Sequence, residues 1–437
     1  MGARLLIERA SWALVDQGAV SAGSFLLNVL LARSFSQHEY GEFTLFLGAI
    51  YLLRTIDYSL ISFPLAVRLC AVTDDERAGL LGNTALLSAA LSVVLASAVA
   101  LGITLLEATD ILVPACLCFL CWQAQETPRR SLLAEFRYRE AVAGDGIAYL
   151  GQSLSIGLLL WIDSLTLPSA LYMMSATFAM GAFVHASKLR FAWPDVAATR
   201  LLARDYFSIG KWSLVNCQLG VVRVQLFPWV LAGVAGAAAT ASLQAGSNIA
   251  NMMTPIIFGI GNAIPQVAAQ AHHAGGGARG ASRAASGYVV IGLGAILVIC
   301  AAAVLMPKLL LQTVYGPASP YLDAAITLQL LAVAGVFAYI AEMASKTLLS
   351  VQAGRLASLV NVVALAAALV LAFTLIGRFG VFGACLGFLI ANVVHATGAV
   401  LAIAWLIAQE KPREQVRPTV AGSAISTNTI VSAPAEQ

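Results

Sequence analysis

The sequence predicts an all-α polytopic membrane protein, with about 12 transmembrane helices in two six-helix bundles around a central cavity. Three observations carry that expectation. The 437 residues are 59% hydrophobic and only 11% charged, with a mean hydropathy of +0.84, whereas soluble domains carry about 25% charged residues. Six long apolar runs precede a polar connector and six follow it, as in a duplicated membrane transporter. Twelve spans need roughly 240 residues, which leaves short loops and no room for a second sizeable domain.

The runs before the connector lie at 12–33, 41–66, 79–103, 110–127, 141–161 and 166–187. Those after it lie at 206–232, 237–270, 285–306, 322–346, 357–377 and 380–408. Met1–Arg9 is a short charged head, and the first run outlasts a signal-peptide core, so no cleavable signal is expected. The connector holds Lys188, Arg190, Arg200, Arg204 and Lys211 around the helix-breaking Pro194, a pattern that a bilayer core would reject. In the long eighth run, Pro255 and Pro265 predict a kink or an extension beyond the bilayer. Gly275–Gly280 reads as a flexible loop. It lacks the Lys-Ser/Thr of a nucleotide-binding loop, which excludes ATP hydrolysis by that route, and no cofactor is expected. The expected organisation is an N-terminal bundle over 1–187, a cytoplasmic linker over 188–211 running into the seventh helix, a C-terminal bundle over 206–408 and a disordered tail over 409–437, rich in Ser, Thr, Ala and Pro.

Orientation follows from the loop charges. With the N-terminus inside, twenty of the 25 Lys and Arg fall in cytoplasmic segments. Only Arg33, Lys308 and Arg378 fall on the opposite side, so both termini are expected in the cytoplasm. Arg54 and Arg223 remain, both inside spans. The two halves carry a faint repeat: Ser131-Leu132-Leu133-Ala134 and Thr347-Leu348-Leu349-Ser350 each lie eight residues before an arginine, between the fourth and fifth spans of their half. An even number of spans per half makes the repeats parallel.

Several motifs resemble one known family. Ala32-Arg33, Glu39-Tyr40-Gly41 and Phe43 follow the first span, and Tyr315-Gly316 the ninth. Ala353-Gly354-Arg355 precedes the eleventh span, and Phe379-Gly380-Val381-Phe382-Gly383-Ala384 enters the twelfth. Together they resemble the Wzx-type polysaccharide flippases of the multidrug/oligosaccharidyl-lipid/polysaccharide superfamily. That resemblance implies alternating access between two six-helix bundles in the bacterial inner membrane. It implies a substrate of undecaprenyl-diphosphate-linked oligosaccharide, moved for O-antigen or exopolysaccharide synthesis. Its implied surroundings are the lipid bilayer, a polysaccharide polymerase and a chain-length regulator, with no nucleic acid.

Polar groups inside spans are the candidate site. An ionised residue at mid-bilayer costs about 2.5–3.5 kcal/mol on insertion scales. Arg54 has Asp57 at i, i+3, either as a packing ion pair or as a clamp that holds the guanidinium toward the carrier's diphosphate. Arg223 has no acid within a turn and Asn216 seven residues earlier; it either pairs with a distant acid such as Asp16 or Asp57, or lines the cavity. Gln244, Asn248, Asn251, Asn262 and Gln266 fall near one helical face, suited to sugar hydroxyls or to joining helices. Asp16 and Glu342, the latter four residues before Lys346, are candidates for ion coupling or interfacial structure. Cys116, Cys118 and Cys121 lack His or acidic partners and read as core residues, so no metal is expected.

Two other functions compete. A cation-coupled multidrug exporter of the same superfamily would depend on buried acids more than on arginines. A membrane polymerase would show a large external loop, and an acyltransferase a buried histidine base. Here the external connections are short, and His395 has no acid nearby in sequence.

Overall fold

A computed structural model gives the structure, describing residues 3–69 and 72–410. Every regular element among them is helical. Among the described residues, nine helices are long and apolar enough to cross a membrane. The 56-residue Gly354–Gln409 is two helices, because Gly380 leaves the helical region at φ 55° and ψ −128°, a conformation that glycine adopts readily. Two more long helices, Leu112–Ala134 and 138–161, hold the buried charges described below.

In chain order the long helices are α1 (Ala3–Ser34), α2 (Gln37–Leu69), α3 (Asp74–Leu105), α4 (Leu112–Ala134), α5 (138–161) and α6 (Leu167–Ala186). Then come α7 (Val196–Ala235), α8 (Ala237–Ala271), α9 (Gly277–Leu305), α10 (Ala325–Ser350), α11 (354–379) and α12 (381–409). In the first group α1 packs on α5, and α4 packs on α3 and α6. In the second, α8, α9 and α10 pack on one another, and the α11–α12 rod packs on α10 and α7. The groups meet mainly where α2 runs antiparallel to α7 and touches the first half of α8. Below, the end of the molecule that carries residues 188–211 is the linker face, and the other end is the far face. Leu154, Phe183, Ile291, Val298 and Phe373 point outward from the helices, as lipid-facing side chains do.

Local structure departs from the expected regularity at defined points. α8 breaks at Asn251–Met253, and its second segment restarts at Thr254 with Pro255 in the first turn, where a missing N–H costs nothing. The glycine run expected to be a flexible loop is a kink, where Gly275 and Gly277 take φ 90° and 60°, after which the rest of the run opens α9. Two π-turns interrupt α2 at Tyr58–Ser62 and α5 at Gly146–Leu150, each directly after a buried aspartate, Asp57 and Asp145. Such bulges occur frequently at functional sites. The paired segments 131–134 and 347–350 both close their helices with the same turn. Phe136 and Gln352 take φ 59° and 61°, and the N–H groups of Arg137 and Ala353 bond Leu132 O and Leu348 O. The tail beyond residue 410 lies outside the described residues.

Candidate functional site

The far face is closed by a ring of buried tyrosines. Ser36 and Glu39 form a reciprocal cap at the start of α2, and the helix turns Tyr40 inward to complete burial. The Tyr40 hydroxyl donates to Asn28 Oδ1 at 3.3 Å and accepts from Asn248 Nδ2 at 2.8 Å. Asn248 Nδ2 also donates to the Tyr315 hydroxyl at 3.2 Å, which in turn donates to Ala245 O at 3.0 Å. Tyr321 stacks edge-on against both Tyr40 and Tyr315. Gly41 lies so close to Ala237 O that a Cβ would collide with it. Arg33 donates to Val314 O at 2.7 Å and Thr313 O at 3.1 Å, the last carbonyls of the short helix Pro307–Tyr315, where a cation is favoured. Motifs from the first and ninth spans thus meet in one lock across the two halves.

From that lock the α2–α7 seam runs to the linker face. Gly48 lies against Gln225 and Trp229, and Gln218 Nε2 donates to Thr55 Oγ1 at 2.9 Å and Leu52 O at 3.2 Å. Gly210 rests on Ser59 O, Tyr206 bonds Thr84 at 2.9 Å, and Arg68 pairs with Asp205.

The first half buries an ionic network. Arg54 does not pair with Asp57, as the i, i+3 spacing suggested, but donates to Glu126 Oε2 at 2.7 Å and lies 4.0 Å over the Trp122 ring. Glu126 also accepts from Arg130 at 2.6 Å. Arg129, expected in a loop, is buried because α4 continues through Pro128 to Ala134. It reaches Asp145 at 2.6 Å, Asp16 at 3.3 Å and Glu126 at 3.8 Å. Gln125 donates to Asp145 at 2.9 Å. Asp57 has only a 3.5 Å bond from Ser88, and its Oδ2 has no partner. Three guanidiniums, Arg54, Arg129 and Arg130, therefore face four carboxylates, Asp16, Asp57, Glu126 and Asp145. With His185, whose Nε2 lies 3.7 Å from Asp145, counted as neutral, full ionisation leaves one excess negative charge, which one proton or one monovalent cation balances.

The second half is arranged differently. Arg223 pairs with neither Asp16 nor Asp57; it donates to Asn392 Oδ1 at 3.5 Å, and among the described residues its Nε has no partner. On the α12 helix that carries Asn392, the buried His395 meets Ser345 at 3.5 Å, and its Nδ1 is unpartnered. Glu342 pairs with Lys346 at 3.4 Å, as their spacing suggested. Asn216 accepts from Ser358 at 2.9 Å, joining α7 to α11. The expected amide stripe on α8 is divided by the break at Asn251–Met253. Gln244 donates to the buried Asn248 in the lock, while Asn251, Asn262 and Gln266 are exposed. Among the described residues no group of His, Cys, Asp and Glu could hold a metal ion.

Sequence reasoning missed Glu126, Arg129 and Asp145. The Pro128-Arg129-Arg130 run resembles a loop, and only the spatial neighbours show that α4 continues with its charges turned inward.

This arrangement is an all-helical polytopic fold similar to that of solved membrane transporters. The chain matches a multidrug-resistance MATE-family transporter of the MOP superfamily in its inward-facing conformation, with TM-score 0.69 and 17% identity over 92% of this chain and 96% of that one. The lipid II flippase MurJ in an inward closed conformation matches with TM-score 0.71 and 11% identity, over 92% of this chain and 87% of that one. An outward-facing MATE-family transporter matches with TM-score 0.60 and 16% identity, over 92% and 96% of the two chains. No protein-family profile and no curated protein matches the sequence.

Proposed function

We propose that the protein is a flippase that moves lipid-diphosphate-linked oligosaccharide repeat units across the bacterial inner membrane for O-antigen or exopolysaccharide synthesis. Residues 1–187 and 206–408 act as the two bodies of an alternating-access cycle. The 188–211 linker, both termini and the tail face the cytoplasm, so the tyrosine lock closes the external side. The observation that carries this reading is Arg223, a guanidinium inside the α7 span that has no carboxylate bonded to it and an unpartnered Nε. A planar, permanently charged fork suits phosphate oxygens. Arg54, steadied by Glu126 and flanked by Asp57, supplies the opposing wall, while Asn216, Gln244 and Asn251 are the amides nearest the path for sugar hydroxyls. Asn248 serves the lock. Asp16 and Asp57 take the proton or cation that the first-half network lacks, while Glu342 pairs with Lys346 and is the acid whose charge reaches Arg223.

A second reading, a cation-coupled drug exporter, draws on Asp57, a buried carboxylate without a bonded guanidinium. Binding of a lipid-diphosphate sugar against a cationic dye separates the two. In a strain lacking its own flippase, Arg223→Gln is expected to abolish polymer export while the folded protein persists, and Arg223→Lys to restore part of it. Normal export by well-folded Arg223→Gln protein would remove this residue from the mechanism.

A further inference from the structure

Helix α7 is 40 residues long, about 60 Å at 1.5 Å per residue, whereas roughly 20 residues cross the hydrocarbon. At its far end Gly236 turns at once into α8, so the surplus lies at the linker end. There the helix has two unlike faces. Thr199, Leu202, Tyr206 and Gly210, at helical spacing, pack onto α2 and α3: Thr199 bonds Asn83 at 3.1 Å, and Tyr206 sits among Ile61, Leu65, Leu69 and Leu81. The opposite face presents Arg200, Arg204, Phe207 and Lys211, all exposed. Trp193 ahead of the helix is 97% exposed and Trp212 on it 70%.

The acids that would neutralise this face are already engaged. Asp195 caps the helix through Ala197 N and Ala198 N, and Asp205 is held by Arg68. Among the described residues, no ion pair involves Arg190, Arg200, Arg204 or Lys211. A face meant only for water has no use for two bare tryptophans, and one meant only for hydrocarbon would not carry arginines. Cations interleaved with tryptophans match the headgroup layer, where indoles settle and basic side chains meet anionic lipid. We propose that this face docks anionic phospholipid headgroups of the leaflet bordering the linker, independently of what the protein transports.

The test uses the full chain in detergent, titrated with phosphatidylglycerol or phosphatidylcholine, with bound lipids read by native mass spectrometry. Phosphatidylglycerol is expected to bind at least tenfold more tightly, and high salt to erase most of that preference. Each basic residue near an anionic surface contributes about fivefold, so Arg200→Gln with Arg204→Gln should cut phosphatidylglycerol affinity by roughly 25-fold. Arg200→Lys with Arg204→Lys should retain it. Because both arginines are exposed, both double variants should melt like wild type before lipid is added. Unchanged phosphatidylglycerol binding in the Gln variant would overturn the proposal, as would no preference in wild type, which would leave the face to an aqueous partner or to orientation alone. A Gln variant that fails to fold would equally overturn it, by giving the arginines an internal role.

Discussion

Tyr40→Phe isolates the polar part of the far-face lock. The substitution keeps the ring that stacks on Phe43 and Tyr321 and removes the hydroxyl that bonds Asn28 at 3.3 Å and Asn248 at 2.8 Å. Asn248 keeps its bond to Tyr315, so the loss is confined to two hydrogen bonds. At a net 0.5–1.5 kcal/mol each, they hold the closed state by roughly 1–3 kcal/mol, a factor of about 5–160 in the ratio of closed to open molecules. Spin labels at the exposed positions His38 and Ala318, one on each side of the lock, report that ratio as a distance distribution in detergent or nanodiscs. The wild type is expected to show one short distance, and Tyr40→Phe a second, longer population. Tyr172→Phe, on an exposed ring, should leave the distribution unchanged. Superimposable distributions for wild type and Tyr40→Phe would refute the idea that these bonds hold the far face shut.

Two further outcomes follow from the same geometry. Arg129→Gln should destabilise the protein by about 3–5 kcal/mol in thermal unfolding, because Asp145 and Asp16 would be left facing each other without their shared cation; a wild-type melting temperature would mean that water reaches the network. Reporter fusions at Ser36 and Ala235 should read as external and one at Ala198 as cytoplasmic, and a cytoplasmic signal at Ala235 would reverse the assigned topology.

The long helices were legible because apolar runs and their punctuation are local properties. The break in α8 falls just before Pro255, and the division of the last rod falls at Gly380, both visible in the chain. Charge partners were not legible. Arg54 and Asp57 have ideal spacing for each other, yet Glu126, distant in sequence, takes the guanidinium. The π-turns after Asp57 and Asp145 shift the register by one residue and leave no compositional trace. Asn248 looked like one amide of a stripe, and only the meeting of α2, α8 and the short helix at Tyr315 makes it the centre of a lock.

The buried network also bears on how the chain is made. α4 brings Glu126, Arg129 and Arg130, and α5 brings Asp145. A charge near the centre of a lone helix opposes partition into lipid by about 2.5–3.5 kcal/mol; on α4 Glu126 is offset by Arg129 and Arg130 of the same helix, which leaves one positive charge for Asp145 and Asp16 to meet. Asp16 on α1 is already there when α4 leaves the ribosome, but Asp145 is synthesised afterwards. Insertion of α4 and α5 together, as a neutralised hairpin beside α1, is therefore the expected order. A lesion at Asp145 would then appear at birth, as a chain threaded wrongly through the membrane, before any question of transport arises.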